Sequence, residues 1–176
     1  DNSDGNFILG ANSKAFGEGS IAIGNQNTAN GANAYAIGAG ANAIGNVALA
    51  FGNQASASTY ALAVGSGAKA SNENAVAVGR RTKAAGQAAV GMGLDANAAG
   101  NNSVAIGIDT EATKNNAVAI GRMSKATNTS AVAVGVNNKA AGQDSTSVGS
   151  SNTVNGDQSS AFGRENVIDG ASVAGA

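Results

Sequence analysis

Asp95, Asp109 and Glu111 are the residues whose type and spacing come closest to chemistry: two aspartates fourteen residues apart, with a glutamate beside the second, could share a cation such as calcium. Three carboxylates at a polar corner are more often solvated than metal-bound, so no metal and no cofactor is assigned to them. The other chemical classes fail for want of residues. The chain has no His and no Cys, which removes His-assisted nucleophiles, ordinary zinc sites and disulfides. Gly40 and Gly67 stand in Gly-x-Gly contexts, but no helix follows either to receive a phosphate. The densest charge is basic, at Lys69, Arg80, Arg81 and Lys83. With ten basic against eleven acidic residues overall, there is no broad field to attract nucleic acid or an anionic membrane. The reading is a protein that binds or builds, not an enzyme.

Those charges are positioned by a repeat. Gly10, Gly24, Gly38, Gly52, Gly65, Gly79, Gly93, Gly107, Gly121, Gly135, Gly149 and Gly163 recur every 14 residues, except for one interval of 13 between Gly52 and Gly65. Most of these anchor glycines follow a triplet such as Val104-Ala105-Ile106, large, small, large; the exceptions are Ile8 in the middle of the first and Thr146 and Ser160 at the start of the last two. That period-two pattern predicts a strand with one face in a core. The predicted core comprises Ile23, Ile37, Val64, Val78, Val104, Ile106, Val118, Ile120, Val132 and Val134. Five residues past the anchor a second column holds Ala, giving way to Val154 and Ile168, and predicts a shorter strand. Seven past it stand Gly or Asn in most repeats, read as a left-handed corner. The missing residue falls at 58–60 and shortens a corner. Two short strands and two corners per repeat describe one coil of an all-β parallel solenoid. Twelve coils at about 4.8 Å would stand roughly 55 Å tall.

A single roll this thin buries little apolar surface. The small columns, Ala105, Ala119 and Ala133 among them, are what close contact between neighbouring rolls requires, and on that ground self-association is expected. The alternative is that these columns fit a tight roll interior or face water.

The sextet Asn102-Ser103-Val104-Ala105-Ile106-Gly107, its variants and the 14-residue period together resemble the head repeats of trimeric autotransporter adhesins, the YadA-like head. The resemblance runs from about Phe7 to Gly170. It implies a left-handed parallel β-roll whose Val and Ile, here Val104, Ile106 and their column mates, fill the interior, with three rolls packed as a homotrimer. It also implies a bacterial cell-surface location, with an outer-membrane anchor and a stalk outside this sequence. Residues 1–176 are then a single head domain, a fragment of a longer surface protein. Two departures stand out. Thr146 and Ser160 replace the usual apolar residue, so the cross-section is expected to change there, and no neck sequence is recognisable after Gly170.

The outward columns remain for function. Besides the basic stripe, Leu94, Ile108 and Val136 follow their anchor glycines, with Met123 beside them. This apolar strip is either a docking face or part of the trimer seam. The resemblance implies attachment to host extracellular matrix, with collagen, fibronectin and laminin as the partner classes, or to cells. The alternatives are an architectural spacer and, less favoured, a calcium-binding or enzymatic solenoid. Calcium rolls need Gly-Gly-x-Gly-x-Asp, which does not occur here.

Overall fold

The computed structural model describes residues 4–170, so the extreme ends of the expected 1–176 domain, residues 1–3 and 171–176, lie outside the described residues. Strands of three to five residues alternate with strands of two, 24 in all, and no helix occurs among the described residues. The longer strands, Phe7–Leu9 through Ser160–Arg164, make one 12-stranded sheet. The short ones, Lys14–Ala15 through Val167–Ile168, make another. Each strand pairs in parallel with its counterpart one coil away, so like stacks on like: Val104, Ala105 and Ile106 lie opposite Val118, Ala119 and Ile120. The 13-residue coil keeps this register, with Leu49, Ala50 and Phe51 opposite Leu62, Ala63 and Val64. The lost residue is absorbed in the corner, as the sequence predicts.

The interior is not where the sequence pattern placed it. In every coil from Ile21 to Thr146 the middle residue of the triplet is fully buried, whether Ala105, Ala119 and Ala133 or the exceptional Gly91 and Ser147, while the large residues on either side are only half-buried or exposed. Ile23, Ile37, Val64, Val78, Val104, Ile106, Val118, Ile120, Val132 and Val134 therefore do not fill the roll; all ten lie half-buried on its outer face. The physical reason is the width of the gap. Four columns of mostly small residues meet inside each coil, represented in one of them by Ser103, Ala105, Thr110 and Ala112, and two sheets linked by such short corners hold little between them beyond Ala, Ser, Thr and single Asn or Val side chains. At Gly91 even a methyl group would lie 2.9 Å from Thr82 Cγ2 and 2.9 Å from the Lys83 carbonyl oxygen across the gap. The small columns thus fit a tight interior, and close approach of neighbouring rolls is not their purpose. Alternation showed two faces but could not tell which of them faced in.

The corners also differ in detail. A Cβ on the anchor Gly107, at φ +131°, would overlap the carbonyl of Gly121 in the next coil, so backbone conformation and close stacking both demand glycine there. The glycines seven past the anchor are not left-handed. A Cβ at Gly86 would instead collide with the Gly100 carbonyl, so this column is glycine-rich for stacking alone. The left-handed residues lie elsewhere, two and nine past the anchor, as at Asp109 (φ +54°) and Asn116 (φ +59°). Val47, and Tyr60 in the shortened coil that follows, where it stands eight past Gly52, occupy the second of these positions at φ +55° and +54°, a conformation that β-branched and bulky residues rarely adopt.

Toward the C-terminus the interior turns polar. Asn138 Nδ2 donates to the carbonyls of Val134 (2.8 Å) and Gly149 (2.7 Å), while its Oδ1 accepts the Asn152 backbone N–H at 3.0 Å. Asn152 repeats the pattern, donating to Val148 and Gly163 and accepting from the Asn166 N–H. The interior composition changes there: Val154 is buried where other coils carry Ala, and Ser147 replaces Ala in the triplet. Thr146 and Ser160 themselves lie on the outer face.

Candidate functional site

Because the interior columns are occupied by small residues, everything chemically distinctive is outside. The short strands present their first residue outward, and in the middle coils these residues stack as Lys69, Lys83, Asn97, Glu111, Lys125 and Lys139. The corner that leads into each short strand adds Arg81, Asp95 and Asp109, one per coil. Together they line a shallow depression of about 270 Å³ bounded by Arg81, Lys83, Asp95, Asn97, Asp109 and Glu111.

Pairing between coils decides the electrostatics. Arg81 Nε donates to Asp95 Oδ1 at 2.6 Å, and its terminal nitrogen reaches Asp95 Oδ2, a bidentate contact. That hydrogen bonding holds the Asp95 carboxyl below its usual range, against some desolvation and with help from Arg81, Arg80 and Lys83; the same partner raises Arg81. Lys125 Nζ lies 2.8 Å from Glu111 Oε1. With Asp95 turned to Arg81 and Glu111 to Lys125, the three carboxylates considered as a cation site do not converge. Among the described residues no group of three or more carboxylate, His or Cys side chains is arranged to hold a metal.

The structure brings the remaining sequence candidates to two neighbouring places. Lys69 and Lys83 are exposed and adjacent on the short-strand sheet, with Arg80 and Arg81 exposed on the preceding corner. Ile108 (45% exposed), Met123 (42%) and Val136 (41%) form a strip along that same corner column, where Leu94 is half-buried. The larger feature escaped sequence reasoning. The outer side of the long-strand sheet carries two columns of large, mostly aliphatic side chains, one from Phe7 to Val132, after which Thr146 and Ser160 take over, and one from Leu9 to Phe162, which is 69% exposed. The signal was present in the residue between them, small in every coil after the first, which has Ile8; from Ala22 onward it is the one that fits inside.

A family model described as the YadA head domain repeat (two copies) matches residues 9–27, 29–55, 57–82, 84–110, 112–138 and 140–166. A comparison with curated proteins finds no match. The matched blocks span the same coils that the two sheets define, and nearly all of them. The chain belongs to the YadA head family and is a head domain of a trimeric autotransporter adhesin.

Proposed function

We propose that residues 1–176 form one adhesive head domain, which associates as a homotrimer on a bacterial surface, is anchored to the outer membrane through a region beyond this sequence, and binds host extracellular matrix or cells. The observation that carries this reading is the aliphatic face of the long-strand sheet. Soluble monomers rarely expose contiguous apolar patches beyond a few hundred Å², yet here paired columns of large, mostly aliphatic residues run from Phe7 and Leu9 to Val132 and Val134, roughly 43 Å. Three such faces turned toward a common axis cover one another. The short-strand sheets then point outward and offer each stacked set of side chains three times. Weak contacts repeated on a trimer add up through effective concentration without a deep pocket.

The outer contact surface centres on Lys69 and Lys83, whose stacked ammonium groups make no ion pair among the described residues; Arg80, Arg81, Leu94, Ile108, Met123 and Val136 lie on the adjoining corner, at the edge of that surface rather than within it. Collagen, fibronectin and laminin are the partner classes to screen. The trimer is expected to bind at least one of them on a coated surface, and Lys69→Glu with Lys83→Glu is expected to reduce that binding several-fold. Retention of every measurable interaction by the double variant would remove the lysines from the site. Failure of the trimer to bind any matrix protein or cell would leave a spacer.

A further inference from the structure

The two corners flanking the aliphatic sheet are complementary in bulk and in charge, though nothing within one chain brings them together. One corner holds the pair of residues after each anchor glycine. The other holds the left-handed residue before each long strand and the two residues that precede it. The first corner is small at Ala39-Gly40 and Ser66-Gly67, with Asn53-Gln54 between them, and bulky from Arg80 to Val136. The second does the opposite: it is bulky at Val47 and Tyr60, 44% and 54% exposed, and small at Ala88, Asn102, Asn116 and Ser130. Charge follows the same rule. The three ion pairs among the described residues are Arg81–Asp95, Lys125–Glu111 and Arg164–Glu165. Arg80 and Asp109 on the first corner take no part in them, nor do Glu73 and Lys114 on the second. Glu73 is seven residues from Arg80, and Lys114 is five from Asp109, within a 14-residue coil. Each pair is therefore level to within about 2.4 Å along the roll.

We propose that adjacent chains of the trimer interlock through these corners: Val47 and Tyr60 of one chain seat over Gly40 and Gly67 of the next, while Glu73 meets Arg80 and Lys114 meets Asp109. The inference rests on the trimer reading. Three parallel sheets facing an axis bring the leading edge of each against the trailing edge of its neighbour, and rotation alone keeps equal residue numbers at equal height. The contact is heterologous and closes after three copies. It places Leu94, Ile108, Met123 and Val136 at the seam, opposite small residues, and leaves Lys69 and Lys83 outside. It also accounts for Val47 and Tyr60, since a strained left-handed backbone under a bulky side chain persists where surrounding contacts hold it.

The chain has no cysteine, so an Asp109→Cys/Lys114→Cys variant tests the pairing cleanly. Within one chain the two positions lie on opposite edges of the roll, with the strand Glu111–Ala112 between them, out of reach of a disulfide. Sedimentation of the reduced variant comes first, then oxidation and a denaturing gel. Covalent dimers and trimers, reverting to single chains on reduction, are the expected result. A sedimenting trimer that yields no cross-link overturns the corner pairing alone, and a monomer overturns it together with the trimer. Tyr60→Asn gives a second readout whose sign discriminates. Asparagine suits the left-handed backbone better, so loss of a seam contact lowers the trimer's Tm, whereas a raised Tm would contradict the seating of Tyr60.

Discussion

Residues 19–68 and residues 69–169 are the same solenoid with different exteriors. The first stretch contains no charged residue at all, whereas nine of the ten basic residues fall in the second. Inside, the two are nearly identical: Ala34, Ala36, Ala41 and Ala43 in one coil correspond to Ser103, Ala105, Thr110 and Ala112 in another, all fully or almost fully buried. The difference teaches where each kind of constraint acts. A narrow gap, filled mainly by Ala, Ser and Thr with an occasional Asn or Val, fixes the interior, and the parallel ladder of backbone hydrogen bonds then supports almost any exterior.

Interior substitutions should erase the difference between the two stretches. Ala36→Leu and Ala119→Leu insert the same extra volume into a gap without space for it, and overpacking costs about 1–3 kcal/mol, or more where nothing can move. Both are expected to lower Tm more than any surface change, by similar amounts, in thermal unfolding followed by circular dichroism. Unequal losses would mean that the two interiors are not equivalent. Asn152→Ala should come next. It removes the donor to the Val148 and Gly163 carbonyls and the acceptor of the Asn166 N–H. Buried groups left unsatisfied typically cost about 1–3 kcal/mol, and hydrogen exchange should show the loss confined to the last coils.

Surface electrostatics should separate the stretches instead. Arg81→Ala is expected to give the smallest shift, because its pair with Asp95 is exposed and screened. The sign of its pH dependence is fixed. Asp95 titrates lower in the folded chain than in the unfolded one, so its stabilising contribution is complete above the ordinary carboxylate range and is lost as pH falls through the depressed folded value. The Tm gap between wild type and Arg81→Ala should close on acidification and with added salt. A gap that widens in acid would refute the assigned pairing.

The coils, their length, the parallel pairing and the absorbed deletion were all legible in the sequence, because a period repeated twelve times overrides local ambiguity. The orientation of the triplet was not. A strand reading large-small-large is compatible with either face inward, and the customary choice of burying the large residues failed because roll width is a property of the corners. The left-handed positions were obscured for a related reason: glycine marks both positive φ and close stacking, and only backbone geometry separates Gly107 from Gly86. For the charged face, the sequence identified Asp95, Asp109 and Glu111 as neighbours. Their partners, Arg81 and Lys125, depend on which side chains reach across one coil.

In the proposed trimer the outward-facing aliphatic residues are covered by two other chains, and sedimentation equilibrium at micromolar concentration tests this most directly. The wild-type chain should sediment at three times its monomer mass, and Ile120→Asp, which places a charge on the aliphatic face, should shift it toward the monomer. A wild-type chain that stays a stable, soluble monomer would contradict the account.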